Sequence, residues 1–145
     1  MNILLYGAGA TGLGYASFIL KAGEKVDIIA TDETSKKLKE TGILRTGKLG
    51  NYHALPRLFA VYTSASEINW KIYDVILVAT KTILNEEVIK NISTMPLEKT
   101  KVILLQNGWG MNRLFEKVLP QSQIFNAHIY CGFIRPERNH SHITA

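Results

Sequence analysis

Short apolar runs alternate along the chain with segments whose apolar residues recur every three or four positions. Ile3-Leu4-Leu5-Tyr6, Lys25-Val26-Asp27-Ile28-Ile29-Ala30, Tyr73-Asp74-Val75-Ile76-Leu77-Val78-Ala79 and Lys101-Val102-Ile103-Leu104-Leu105 are rich in β-branched and aliphatic residues. Such runs fit strands buried on both faces, as in a parallel sheet. Between them the period lengthens. Leu13 to Leu20 predicts a helix, and Leu84, Val88, Ile89 and Ile92 predict another that ends before Pro96. A polar helix over Ser35 to Thr41, capped by Thr34 or Asp32 and ended by Gly42, and a helix over Met111 to Leu119 stopped by Pro120 complete the helical set. Gln123 to Tyr130 reads as a last parallel strand. Strand and helix in this alternation predict an α/β fold, Rossmann-like and doubly wound, with a mostly parallel sheet and helices on both faces.

Three stretches fit the pattern less well. Residues 43–52 read as a short strand and glycine turn, followed by an extended run from Leu55 to Tyr62 with Pro56 at its edge. Residues 63–73 read as a connection with one helical turn. The tail from Arg135 to Ala145 is polar, has no closing helix, and reads as an interrupted end.

At 145 residues with 46% hydrophobic and 20% charged residues, the chain is expected to form one soluble globular domain. No apolar run is long enough to span a membrane, and the first strand starts at Asn2 without a basic leader, so a cytoplasmic address is expected. The single Cys131 can form no internal disulfide. The net charge of +5 comes from scattered lysines without interleaved aromatics, which argues against nucleic acid and reads as a solvated helix face; a modest positive potential would also suit phosphorylated or carboxylate ligands, so the charge is permissive rather than diagnostic. His140 and His142 have no carboxylate or cysteine beside them and read as solvated, so no metal site is expected.

The candidate chemistry lies at the carboxyl ends of the strands, where open parallel sheets bind ligands. The first strand runs into Gly7-Ala8-Gly9-Ala10-Thr11-Gly12, the G-x-G-x-x-G spacing. Its first glycine makes the tight turn, the second lets the backbone approach a pyrophosphate, and the third lets helix and strand pack closely. The anion would rest on unpaired N–H groups at the helix start. After the second strand come Thr31 and Asp32; a carboxylate 20 residues beyond Gly12 suits a ribose 2′-hydroxyl and hence NAD. Thr31, with Lys36 and Lys37 following, keeps NADP open, and Asp32 reads equally well as a helix cap. Ala79-Thr80-Lys81 brings an ammonium to the same edge. Gln106-Asn107-Gly108 brings a carboxamide that both donates and accepts. Trp109 reads as a cover over the site or as core.

Together, Gly7 to Gly12, Val78-Ala79-Thr80-Lys81-Thr82 and Leu105-Gln106-Asn107-Gly108-Trp109-Gly110 resemble the ketopantoate reductase (2-dehydropantoate 2-reductase) family. The resemblance implies a Rossmann domain over residues 1–145 and NADPH-dependent reduction of a 2-oxo acid, 2-dehydropantoate, to pantoate on the way to pantothenate and coenzyme A. It implies that Lys81 sits by the cofactor and that Asn107 contacts nicotinamide ribose and substrate. The segment around Cys131 and Gly132 would line the cofactor. The arginine that family members carry after the second strand for a 2′-phosphate is replaced by Ala30-Thr31-Asp32. Where the family has a glycine entering the last strand and a Pro-Gly turn after it, this chain has Asn126 and Pro136-Glu137. The family's general-acid lysine lies in a C-terminal helical domain absent from these residues, so the isolated chain is expected to bind cofactor and turn over little. A homodimer is left open, as is a stand-alone nucleotide-binding or sensing module. An S-adenosylmethionine-dependent methyltransferase gives Lys81 and Gln106-Asn107-Gly108 no role.

Overall fold

A computed structural model describes residues 1–145. The apolar runs become the central strands: β1 (Asn2–Tyr6), β2 (Lys25–Ile29), β5 (Ala60–Tyr62), β6 (Val75–Val78), β7 (Lys101–Leu104) and β8 (Ile124–Asn126). They pair in parallel in the order β5-β2-β1-β6-β7-β8. β1 is flanked by β2 on one side and β6 on the other, so the winding direction reverses beside it. That reversal opens a crevice at the carboxyl edge. The register makes this edge flush, with Tyr6 opposite Ile29 and Val78, and Val78 opposite Leu104.

Because strand side chains alternate between faces, β1 feeds two cores. Leu4 and Tyr6 join Ile76, Val78, Val102 and Leu104 beneath α3 (Asn85–Ile92) and α4 (Asn112–Phe115). Ile3 and Leu5 join Ile28 and Leu77 beneath α1 (Ala10–Lys21), which contributes Leu13, Ala16 and Leu20. Leu4, Leu5 and Leu13 are fully buried, so truncating any of them to alanine costs about 2–5 kcal/mol.

The tail departs most from expectation. Residues 133–143 form β9 (Phe133–Ile134) and β10 (His140–Ile143), which join β3 (Ile43–Gly47) and β4 (Tyr52–Ala54) in a second sheet of order β4-β3-β10-β9. β10 runs parallel to β3 and antiparallel to β9. This sheet packs on α1 through Gly14, where an added Cβ would meet the Phe133 ring at 2.5 Å and Ser141 Oγ at 3.0 Å. Ser141 Oγ donates to the Ala10 carbonyl at 2.7 Å. Arg45 is 1% exposed, with its guanidinium 4.0 Å over the Phe18 ring and an Nη1 donating to Ser17 Oγ. His140 and His142 are half-buried rather than solvated, and both ring nitrogens meet Thr46 Oγ1, at 2.7 and 2.8 Å.

Smaller departures have local causes. α2 spans Asp32–Thr41, so the residue flanking its start is Thr31, and Asp32 is its first helical residue. Pro56 starts a single 3₁₀ turn over Pro56–Leu58, interrupting the expected extended run before β5. The expected helix over Met111–Leu119 is regular only over α4. The last parallel strand stops at Asn126 because its one neighbour, β7, ends at Leu104; the Ala127 N–H donating to the Leu104 carbonyl closes the ladder.

Candidate functional site

The turn after β1 divides its labour among three glycines. Gly7 has φ +106°, and a Cβ there would lie 2.8 Å from the Thr80 nitrogen. Only glycine makes this turn at that distance from the next strand. A Cβ on Gly12 would run into the Gly7 carbonyl oxygen and approach Ala79 Cβ at 3.1 Å, so the start of α1 lies directly on the strand ends. Gly9 differs from both. A Cβ there meets nothing within 4 Å.

Gly9 also flanks the start of α1, with no side chain capping the helix and no acidic residue in its first turn. The N–H groups of Ala10, Thr11 and Gly12 donate to no protein acceptor. A backbone surface with open space above it and unpaired donors at the positive end of a helix dipole fits a pyrophosphate.

The ends of β6 and β7 complete a cleft of about 480 Å³ lined by Thr11, Ala79 to Ile83 and Leu105 to Asn107. Lys81 forms no ion pair, and the Asn107 carboxamide has no protein hydrogen bond. Asn107 is not a left-handed turn residue, since no residue other than glycine has positive φ; Gly108 takes that role with φ +125°. Gly7 to Gly12, Ala79 to Lys81 and Asn107 therefore share one edge. Gly132 exchanges backbone hydrogen bonds with Thr144 and Ala145 at the end of the second sheet. Cys131 is beside Tyr15, whose phenol is pushed up by burial and then by that thiol. Trp109 is 98% exposed on the loop beyond Asn107, which excludes a core role.

A pair of side-chain amides holds this edge together and leaves no sequence signal, because its members are 21 residues apart. Gln106 Nε2 donates to Asn85 Oδ1 at 2.6 Å and to the Thr80 carbonyl at 2.9 Å; Asn85 Nδ2 donates back to Gln106 Oε1 at 3.1 Å. Asn85, at the start of α3, is 2% exposed. The two amides fix the loop carrying Lys81 against the loop carrying Asn107. Thr31 and Asp32 follow β2 on the same side. Asp32 is exposed with no side-chain partner, and Thr31 Oγ1 donates to Thr34 Oγ1 at 3.1 Å.

A second cleft, about 470 Å³, opens at the opposite edge among Asn2, Asp27, Trp70, Lys71 and Tyr73. Asp27 accepts from Lys71 Nζ at 2.8 Å and from the Tyr73 hydroxyl at 2.7 Å. Burial, and then the hydrogen bond to Asp27, hold the Tyr73 phenol far above its ordinary range. Its polar groups satisfy one another, and it lies at the amino ends of the strands.

A family model described as ketopantoate reductase PanE/ApbA matches residues 3–145. The chain belongs to the ketopantoate reductase family. A 2-dehydropantoate 2-reductase from Aquifex aeolicus is 24% identical over 144 residues, 99% of this chain and 44% of the relative. One from Lactococcus lactis is 29% identical over 128 residues, 86% of this chain and 39% of the relative. Among solved structures, 2-dehydropantoate 2-reductase from Geobacter metallireducens superposes with a TM-score of 0.87 at 23% identity, covering 100% of this chain and 46% of that one. A ternary structure of D-mandelate dehydrogenase with NADH and anilino(oxo)acetate superposes with a TM-score of 0.82 at 24% identity, covering 99% of this chain and 45% of that one. The chain thus spans less than half the length of these relatives.

Proposed function

We propose that this chain is the cofactor-binding part of an NADPH-dependent reductase of 2-oxo acids, with 2-dehydropantoate as substrate and pantoate as product. The observation that carries the reading is one cleft in which an uncapped helix start behind an open Gly9 meets a free ammonium, Lys81, and a free carboxamide, Asn107. Membership of the ketopantoate reductase family supports the substrate class. The NADH complex of a protein of the same fold supports the cofactor class.

The N–H groups of Ala10 to Gly12 would hold the pyrophosphate. Lys81 adds a positive charge for a phosphate or a substrate carboxylate, and the Gln106–Asn85 pair limits where it can go. Asn107 can donate to a carbonyl oxygen and accept from a ribose hydroxyl. When bound, the reduced nicotinamide supplies the hydride for the 2-oxo carbon. The developing alkoxide also needs a proton. Lys81 is the one titratable side chain lining the cleft, and a helical domain beyond these residues is the proposed source of the general acid.

Titrating NADPH and NADH against the 145-residue chain, followed by nicotinamide fluorescence, tests this reading. Saturable enhancement or blue shift with either nucleotide is expected. Binding of neither at millimolar concentration defeats the proposal.

A further inference from the structure

A 2′-phosphate on the adenosine ribose needs a cation near the end of β2, whereas a 2′-hydroxyl prefers a carboxylate. The chain immediately after β2 offers no cation: it reads Ala30-Thr31-Asp32-Glu33. The fold supplies one from elsewhere. In the turn between β9 and β10, Arg135 Nη2 donates to Thr34 Oγ1 at 2.9 Å and to the Arg138 carbonyl at 2.7 Å. The Thr34 hydroxyl oxygen also accepts from Thr31 Oγ1. The guanidinium is thus two hydrogen bonds from Thr31, two residues beyond β2, although 101 positions separate it from Thr34 in sequence.

Resting on the nicotinamide reading above, the structure assigns Arg135 as the residue that recognises the 2′-phosphate of NADP. Its charges are arranged for this. Arg138 is paired with Glu33, and Lys37 stands 3.8 Å from Glu137, so these two neighbouring cations have carboxylate partners. Arg135 has none, and its Nη1 and Nε make no protein hydrogen bond. Burial, and then the neighbouring Arg138, push its pKa down. The N–H groups of Asp32, Glu33 and Thr34 at the start of the ten-residue α2 are also unpaired and add to the attraction. Asp32 opposes it. Its carboxylate is exposed and has no side-chain partner, whereas Glu33 is paired with Arg138.

The planar fork matters as well as the charge, because guanidinium can meet a phosphate through two parallel bonds and an ammonium cannot. The test compares 2′,5′-ADP with 5′-AMP, which differ by the 2′-phosphate alone, as competitors of NADPH on wild type, Arg135→Ala, Arg135→Lys and Asp32→Ala chains. Wild type should prefer 2′,5′-ADP. Arg135→Ala should lose at least about tenfold affinity for 2′,5′-ADP and NADPH while 5′-AMP and NADH change less than about twofold. Arg135→Lys should fall between, and Asp32→Ala should weaken NADH more than NADPH. Equal effects of Arg135→Ala on nucleotides with and without the 2′-phosphate would mean that Arg135 merely fastens the turn to α2, overturning the assignment while leaving the cofactor reading intact. Binding of no nucleotide by wild type would remove both.

Discussion

Substituting Gly9 and Gly12 in parallel separates the two jobs of the glycine turn. Gly9 has φ −79° and ψ −171°, a conformation open to any residue, and a Cβ there touches nothing. Valine at this position before the helix loses about 1 kcal/mol of capping preference, partly offset by about 0.4–1 kcal/mol from a stiffer unfolded chain. Stability should change by less than about 1 kcal/mol, or roughly 2–4 °C in Tm. Its branched side chain would nevertheless fill the space through which a phosphate reaches the helix start. Losing two charge-assisted N–H bonds at about 1.5–3 kcal/mol each removes at least about 3 kcal/mol of binding, more than a hundredfold in Kd. Gly12→Ala reverses the balance. Alanine gains about 1 kcal/mol in helix propensity, but its Cβ runs into the Gly7 carbonyl, a backbone atom that yields only if α1 moves. Such overpacking costs about 1–3 kcal/mol or more. Thermal unfolding and NADPH fluorescence titration on both variants provide the readout. A folded Gly9→Val chain that keeps wild-type affinity refutes the pyrophosphate pose, and a Gly12→Ala chain more stable than wild type refutes the packing argument.

Two further predictions concern residues outside that turn. Gln106→Ala should cost about 1–3 kcal/mol, because it strands the buried Asn85 amide; a double-mutant cycle with Asn85→Ala in urea should give a coupling of at least about 0.5 kcal/mol, and additivity would dissolve the amide clamp. Tyr73 has a folded-state pKa raised above its unfolded value, so its contribution is fully present below about pH 10 and declines above it, as the unfolded phenol ionises while the folded one keeps its proton. Urea midpoints measured from pH 8 upward should therefore fall more steeply in wild type than in Tyr73→Phe, and parallel slopes would contradict the burial of that hydroxyl.

What was legible in the sequence was what the backbone itself decides. Gly7, Gly9 and Gly12 stand out because each meets a constraint of conformation or space, and Lys81 and Asn107 because each follows an unbroken apolar strand. Illegible were features made by pairings distant in the chain. Arg45 and Ser141 look like surface polar residues, yet both are buried against α1, one through Phe18 and Ser17 and the other through the Ala10 carbonyl. No local pattern marks a parallel strand whose partner is more than ninety residues upstream, so His140 to Ile143 read as tail. Nothing local marks Asn85 at the start of α3 as the partner of Gln106, 21 positions away.

The parallel pairing of β10 with β3 has a consequence for how the chain comes to be folded. Thr46 waits for His140 across 94 positions, so the whole cleft-forming sheet can assemble before the small sheet closes. Loop closure over such a distance is entropically costly, and non-local pairing of this kind slows folding. During synthesis, β3 and β4 would emerge as a hairpin with one unprotected edge, a template for pairing with other chains. Residues 133–143 act as a delayed seal. A ribosome stalled or a chain clipped ahead of Phe133 would release a protein with its nucleotide turn formed, α1 uncovered on one side, and an open strand exposed to aggregation.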